Sequence, residues 1–182
     1  MFDISGYSKF SIHRIQYGGG ITVFYNDELT VEKVDNLSYV TAPVEILSFR
    51  IKSSVGGIFM SCLYRPPMTS ISDFNELFSQ NIFQNIPNNE DVLICGDFNV
   101  NIFNPLRLPC TYDFIQIFAG RGYFPVVEKP TQICLDNRVT KFSSLDQIWI
   151  NFSNGCNLLS GVIDCDISDH RPSYFICKRN SS

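Results

Sequence analysis

The sequence has 182 residues, which is enough for one domain with a substantial core and too short for two ordinary ones. Apolar residues make up 45% and charged residues 18%, and this balance excludes an intrinsically disordered chain. The net charge of -4 argues against binding nucleic acid through a broad basic face, although a local group of Arg and Lys could still meet phosphates.

No targeting segment is evident. No apolar run is long enough to span a bilayer, and Phe2, Asp3 and Ile4 do not begin a signal peptide. We therefore expect an intracellular protein, nuclear or cytoplasmic, with no membrane partner. The seven cysteines are odd in number and form no Cys-x-x-Cys pair, which favours reduced thiols over disulfides or a zinc site.

The first third of the chain is predicted to be β-structure. The first clear strand covers residues 21–25, directly after the glycines at 18–20. Residues 44–51 are apolar on both faces and predict a buried strand. Gly56 and Gly57 then turn the chain into a strand over residues 58–64, so these two strands should form a hairpin.

The remainder alternates between helix and strand. Ser70 or Ser72 can cap a helix whose apolar stripe is Phe74, Leu77, Phe78 and Ile82. A second helix is predicted over residues 111–119. Strands are predicted at residues 91–95, 145–150, 158–163 and 174–178. This mixed order predicts an α/β domain in which two sheets pack together with helices outside.

Gly96-Asp97-Phe98-Asn99 follows the predicted buried strand over residues 91–95. Asp97 and Asn99 are two residues apart, so on extended chain they share one face at the end of the sheet. A carboxylate can transfer a proton, and an amide can hold a phosphoryl oxygen. The alternative is an Asx-rich turn without a catalytic role.

Ser168-Asp169-His170-Arg171-Pro172 precedes the last strand. His170 is the titrating group, and Asp169 can reach a metal or a phosphate. Asp146 is a single carboxylate in the otherwise apolar strand over residues 145–150, and a partner such as His170 would satisfy it. The alternatives are a surface turn for the first motif and an exposed strand end for Asp146.

Tyr64 and Arg65 end the hairpin strand and offer a phenol and a guanidinium to a phosphate. Competing enzyme classes lack their motifs, because the chain has no Gly-x-Ser-x-Gly elbow, Walker loop, dinucleotide fingerprint or His-Glu-x-x-His. The three glycines before residue 21 precede a strand. A glycine-rich loop that binds phosphate leads into a helix, so this segment does not predict one.

These motifs in this order, Gly-Gly-Gly-Ile, Tyr-Arg-Pro-Pro, Gly-Asp-Phe-Asn, Ser-Leu-Asp-Gln-Ile and Ser-Asp-His-Arg-Pro, resemble the endonuclease/exonuclease/phosphatase family. The similarity runs from about Gly6 to Lys178 and is strongest to endonuclease domains of non-LTR retrotransposon polyproteins. It implies a four-layer α-β-β-α sandwich of two mixed sheets that hydrolyses phosphodiesters with Mg²⁺ or Mn²⁺. It also implies DNA as a partner and a reverse transcriptase domain in a longer polyprotein.

The resemblance assigns roles to several residues. Asp97 would transfer a proton, Asn99 would bind phosphate, and Tyr64 would orient phosphate. Asp169 would be the metal-side carboxylate, and His170, oriented by Asp146, would activate or steer the attack on phosphorus. The residues expected to contact substrate are Arg65, Ser144 and Arg171.

The chain departs from the family at its start. Family members begin with a strand carrying an Asn, a helix, and a strand ending in Gln-Glu-Thr, whose Glu is a principal metal ligand. Nothing before Tyr17 resembles these elements. We therefore expect residues 1–182 to form one domain that lacks the first strand-helix-strand and this Glu. The alternative functions are a catalytically dead remnant or protein-binding scaffold, and a phosphatase of small phosphorylated metabolites or lipids.

Overall fold

The computed structural model describes residues 2–14, 18–53, 56–136, 139–152, 156–165 and 167–179. The strands are β1 (Tyr7–His13), β2 (Gly20–Asn26), β3 (Thr30–Lys33), β4 (Tyr39–Val40), β5 (Glu45–Lys52), β6 (Ile58–Tyr64), β7 (Asp91–Asp97), β8 (Phe124–Pro125), β9 (Gln132–Asp136), β10 (Val139–Ser143), β11 (Asp146–Asn151), β12 (Cys156–Val162) and β13 (Ser173–Arg179). The helices are α1 (Ile71–Leu77), α2 (Phe83–Asn85) and α3 (Pro109–Ala119), with a π-helical turn (Phe78–Ile82) between α1 and α2.

Seven strands form one mixed sheet in the order β3-β5-β6-β7-β11-β8, with β4 also paired to β5. Only β6 and β7 run parallel, and the other pairs are antiparallel. The predicted hairpin is confirmed as β5 and β6. The predicted buried strand is confirmed as β7, which lies inside the sheet between β6 and β11.

The helices cover one face of this sheet. Ser70 caps α1 by accepting a hydrogen bond from the Asp73 N–H at 3.3 Å, as one of the two predicted caps. The apolar stripe of α1 and the π-helical turn is buried against α3 and the sheet. Phe118 of α3 lies 4.6 Å from Trp149 of β11 between ring centroids, so aromatic rings join the two layers.

Hairpins cover the opposite face. The β1–β2 hairpin packs on β5 through Phe10, whose ring centroid is 6.4 Å from that of Phe49. The β12–β13 hairpin packs beside β11 through Phe175, next to Ile148 and Ile150. A third hairpin, β9–β10, leads into β11.

Several observed strands were not predicted from the sequence, and they are held in place by pairing with other strands. β1 precedes the first strand that was predicted and pairs along its whole length with β2, and β9 and β10 were also not predicted. Each of these strands mixes polar and apolar residues. Their strand conformation depends on cross-strand pairing more than on intrinsic preference.

The α/β fold class is confirmed, but the layering differs from the prediction. The described residues form three layers: helices, the seven-stranded sheet, and hairpins. The second sheet is two separate antiparallel pairs, β1–β2 and β12–β13, where one mixed sheet was predicted. The described helices all pack on the face opposite the hairpins.

Two further expectations can be checked. All seven cysteines are free thiols, as predicted. Within the described part of the chain, we find no helix with the length and apolar character needed to cross a bilayer.

Candidate active site

Four side chains form a row across one end of the seven-stranded sheet. Strand pairing sets Glu45 of β5 beside Tyr64 of β6, Tyr64 beside Asp97 of β7, and Asp97 beside Asp146 of β11. Directly paired residues point to the same face of a sheet, so the four side chains share the face that the hairpins cover. The register therefore places Tyr64, Asp97 and Asp146 side by side at this end of the sheet.

Gly96 allows Asp97 to take this position. Its φ of +141° is unfavourable for other residues, and an added Cβ would lie 1.8 Å from the carbonyl oxygen of Leu63 on β6. Gly96 lies within β7, and its small size is required by the close approach of the neighbouring strand β6.

Asn99 is held in a tight loop after Asp97. Its φ is +48°, its N–H donates to Asp97 Oδ1 at 2.9 Å, and its Nδ2 donates to Asp97 Oδ2 at 3.1 Å. The same Nδ2 also donates to the Arg65 carbonyl at 2.8 Å. This is the Asx-type turn that was the alternative interpretation, and it also places the amide against the carboxylate, so the two descriptions are compatible.

Arg65 corrects a prediction. The residue is 2% exposed, and its guanidinium donates to the carbonyls of Phe98 at 2.7 Å and Asn99 at 2.6 Å. It also donates to the carbonyl of Thr69. Because its donors are directed at backbone oxygens, Arg65 shapes the loop that carries Asp97 and Asn99 and is not placed to contact substrate.

Asp146 and His170 form the predicted pair. His170 Nδ1 lies 2.8 Å from Asp146 Oδ2, which is a hydrogen-bonding distance. Asp97, Asp146 and His170 each offer a ligand atom within 4.8 Å of the others. Three distant parts of the sequence therefore meet at one point.

Thr131, which the sequence did not reveal, organises this meeting point. It is fully buried, and its Oγ1 accepts hydrogen bonds from the N–H groups of Leu145 and Asp146, both at 3.0 Å. Its carbonyl accepts from the Arg171 N–H at 2.7 Å. Thr131 thus connects the segment of Asp146 with the segment of His170, and only the tertiary contacts reveal this.

Gln132 is a second residue that the sequence did not reveal. Its Nε2 lies 3.3 Å from His170 Nε2 and donates to Asp169 Oδ2 at 3.1 Å, while its Oε1 accepts from Ser143 Oγ at 3.0 Å. Gln132 therefore fixes the ring of His170 from the side opposite Asp146. An isolated bridge between Gln132 and His170 adds backbone support.

The other predicted residues lie in different surroundings. Asp169 is exposed next to His170, and no described contact joins it to Asp97 or Asp146. Arg171 pairs with Asp164 at 3.0 Å at the surface. Ser144 is fully buried, and its Oγ has no hydrogen-bond partner among the described residues. A fully buried hydroxyl is not placed to contact substrate, which corrects the prediction for Ser144.

Electrostatic effects tie these groups together. Burial raises the pKa of Asp97, and the charge of Asp146 adds to this, whereas the Asn99 N–H, His170 and Arg65 oppose it. Burial by itself would lower the pKa of His170. The hydrogen bond and charge of Asp146, and then the charges of Asp97 and Asp169, outweigh it and raise that pKa. The site therefore holds mutually repelling carboxylates next to an imidazole whose pKa is above that of an ordinary histidine.

The donor set suits a hard divalent cation. Mg²⁺ takes one or two protein carboxylates and completes its coordination with water and substrate phosphate oxygens. The facing carboxylates of Asp97 and Asp146 meet that need, and a cation between them would relieve their repulsion. The pairing of His170 with Asp146 leaves the imidazole for proton transfer.

Glu45 and Arg14 complete the row on the side away from His170. Glu45 is 1% exposed and forms an ion pair with the Arg14 guanidinium. Neither residue was predicted to belong to the site. Asp146 was predicted because it is an acid within an apolar strand, and Glu45 has the same feature.

Comparisons with known proteins identify the fold. A scan of protein-family models finds no match, and a search of curated proteins also finds none. Solved structures do match, and they include proteins of the endonuclease/exonuclease/phosphatase family. The chain has the fold of that family.

Three similar structures illustrate its range. The endonuclease domain of TRAS1, a telomere-specific non-LTR retrotransposon, gives a TM-score of 0.73 at 15% identity, covering 94% of this chain and 80% of that one. D. rerio TDP2, complexed with a single-strand DNA product, gives 0.63 at 13% identity and covers 97% and 78%. A mannosyl-6-phosphatase of Bacteroides thetaiotaomicron gives 0.61 at 16% identity and covers 96% and 78%.

Proposed function

We propose that this chain is a divalent-metal-dependent hydrolase of phosphodiesters and that it nicks DNA as a retrotransposon-type endonuclease domain does. The observation that carries the proposal is the meeting of Asp97, Asp146 and His170, beside Tyr64 and Asn99, at one end of the sheet. The five ordered sequence motifs and the likeness to the TRAS1 endonuclease fold support nucleic acid as the substrate.

His170 and Asp97 are the proton-transfer groups in this proposal. Asp146 holds the imidazole by the 2.8 Å contact to Nδ1, which leaves Nε2 directed at Gln132 and at the opening of the site. The raised pKa of Asp97 brings that carboxyl nearer to neutral pH than an ordinary aspartate, which suits a group that accepts and returns a proton.

Tyr64 and Asn99 would bind the phosphate. Tyr64 stands in the same row as Asp97 and presents a phenol. The loop holds the Asn99 amide in one orientation through the Arg65 carbonyl, and its Nδ2 would exchange the 3.1 Å contact to Asp97 for a phosphate oxygen. Fixed donors that face a phosphate stabilise the negative charge that grows on its oxygens during attack.

A bound Mg²⁺ or Mn²⁺ would supply positive charge at the phosphate and a more acidic water. Of the two facing carboxylates, we assign Asp146 to the cation and Asp97 to proton transfer, and we keep Asp169 as an outer metal-side residue. The Glu that the family resemblance expects has no counterpart in the described site, so we expect weak metal affinity for these residues alone.

The test is nicking of supercoiled plasmid DNA with Mg²⁺, comparing wild type, Asp97→Asn and Asp113→Ala. Asp113 is an exposed acid on α3 and serves as the matched control. Loss of a proton-transfer group should slow cleavage about 10²-fold or more, whereas the control should keep its rate. Chelation with EDTA should abolish cleavage by wild type.

Two alternatives give different results in the same assay. A phosphatase of small phosphorylated metabolites or lipids would hydrolyse inositol phosphates or a sugar phosphate in preference to plasmid DNA. A catalytically dead scaffold would leave all three substrates intact and would bind no Mg²⁺ in calorimetry. Equal nicking by wild type and Asp97→Asn would refute the assigned site.

A further inference from the structure

The buried acid Glu45 continues the row of site residues beyond Tyr64. Adjacent strands are about 4.8 Å apart, so Glu45, two strands from Asp97, lies roughly 10 Å along the row from the proposed point of attack. That distance exceeds the reach of a single phosphoryl group. A group at this position could recognise a neighbouring part of a larger substrate.

Arg14 is the group that Glu45 holds there. Its Nε donates to Glu45 Oε1, and its Cζ lies 5.2 Å from the centroid of the Tyr64 ring. The guanidinium is therefore fixed both by a buried carboxylate and by the face of the site tyrosine. The Arg14 side chain remains 31% exposed, so part of it is open to solvent.

The glycine segment before β2 packs directly on this guanidinium. A Cβ at Gly19 would lie 2.7 Å from Arg14 Cζ, and the φ of Gly19 is +99°. Gly19 thus has to be glycine for Arg14 to keep its place. Of the three glycines that precede β2, Gly19 is therefore the one that makes room for this side chain.

The ion pair is incompletely satisfied. Glu45 Oε2 and Arg14 Nη2 are both buried and have no hydrogen-bond partner among the described residues. A buried donor left without a partner is costly, so a phosphate that entered beside the partly exposed side chain and accepted a hydrogen bond from Nη2 would remove that cost. Glu45 would anchor such an arginine, because it neutralises one side of the guanidinium and fixes its plane.

We infer that Arg14, anchored by Glu45 and stacked on Tyr64, binds a second phosphate of a polynucleotide substrate, next to the phosphate that is cleaved. The inference rests on the proposed function and extends it to substrate selection. A substrate with several phosphates reaches both Asp97 and Arg14, whereas a small ester with one phosphate reaches only the first. Arg14 is a specificity-determining residue in this view.

The first test measures binding of a fluorescent DNA duplex by anisotropy, in a background of Asp97→Asn to prevent cleavage. Arg14→Gln should weaken binding about tenfold. It should also reduce the slope of log affinity against log salt by about 0.9, as expected for one lost phosphate contact. Arg14→Lys should keep the slope, because it retains the charge, and should recover only part of the affinity.

The chain offers a matched control in Arg50, which pairs with Glu90 at 3.1 Å and lies 5.4 Å from the Phe59 ring centroid. Arg50→Gln removes an arginine–glutamate pair that lies away from the row of site residues. It should leave unchanged both the affinity for the DNA duplex and the slope of log affinity against log salt. If Arg14→Gln and Arg50→Gln behave alike, the inference is overturned. The double variant Arg14→Met/Glu45→Leu replaces the pair with apolar groups, so it tests the loss of phosphate binding without a stranded buried charge.

A second measurement separates this inference from the proposed function. In the wild-type background, Arg14→Gln should raise KM for an oligonucleotide about tenfold and should change KM for bis(p-nitrophenyl) phosphate much less, because that ester has a single phosphate. Unchanged KM for the oligonucleotide overturns the role of Arg14 but leaves the hydrolase intact. Absence of DNA binding by every variant, with cleavage of the small diester retained, overturns both Arg14 and DNA as the substrate.

Discussion

The two faces of β6, within the seven-stranded sheet, differ in how completely they are buried. Along β6, the residues that face the helices are buried and those that face the hairpins are partly exposed, in strict alternation. The helix face carries Phe74, Phe114 and Phe118, all fully buried. The hairpin face carries Met60, Cys62 and Cys95, of which the two thiols lie 3.6 Å apart, and it ends in the charged row of the site.

The helix face supports the fold, and the hairpin face carries the residues of the candidate site. The helix face is a continuous aromatic core that fixes the strands, because close-packed rings tolerate little rearrangement. On the hairpin face, Asp97 and His170 are only partly buried. Each strand contributes side chains to both faces. The packing of the helix face therefore also holds the residues of the hairpin face in place.

The largest expected effect comes from the helix face. Phe118→Ala removes ring contacts to Phe114 at 4.9 Å and Trp149 at 4.6 Å between centroids, and should lower the free energy of unfolding by about 4 kcal/mol. Met60→Ala on the hairpin face should cost about 1 kcal/mol, because this side chain is only partly buried. Urea unfolding followed by circular dichroism measures both. Equal losses would contradict the contrast between the faces.

An intermediate effect is expected at Thr131, at the edge of the open face. Thr131→Val keeps the volume but removes the acceptor for the Leu145 and Asp146 N–H groups, and should cost about 2 kcal/mol of unfolding free energy. It should also reduce turnover, because Asp146 loses its position. Thr131→Ser keeps the hydroxyl and should retain most of the activity. A Val variant with wild-type turnover would show that Asp146 is held by other contacts.

The smallest effect concerns the His170–Asp146 pair and depends on pH. The pKa of His170 is raised in the folded protein, so its contribution to stability is present below the unfolded pKa and is lost as pH rises through the folded pKa. Asp146→Asn should therefore destabilise most near about pH 5, by about 0.5 kcal/mol for a partly exposed pair, and least near about pH 8.

Thermal unfolding in EDTA at a series of pH values measures this difference, and Asp113→Ala is the control for a general change in net charge. Removal of Asp146 also relieves its repulsion of Asp97, which shifts the result in the same direction. A difference between wild type and Asp146→Asn that grows with pH would mean that the pair does not stabilise protonated His170.

Much of the fold could be predicted, because strong hydrophobic patterns mark β5, β6, β7 and α3. β1, β9 and β10 could not, since their patterns are mixed and their strand conformation comes from their partners. The site was predictable where polar residues interrupt apolar strands, as at Asp97 and Asp146. It was not predictable at Thr131 and Gln132, whose roles are hydrogen bonds to segments distant in sequence.

The sequence by itself determined the strand and helix pattern of the core and the residue types available for phosphate chemistry, because local hydrophobic periodicity and short motifs are properties of neighbouring residues. Only the tertiary structure decided which groups meet. It paired His170 with Asp146, directed Arg65 at the backbone of the Asn99 loop and buried Ser144. Each of these depends on strand register and on contacts between residues far apart in the chain, and no local pattern encodes them.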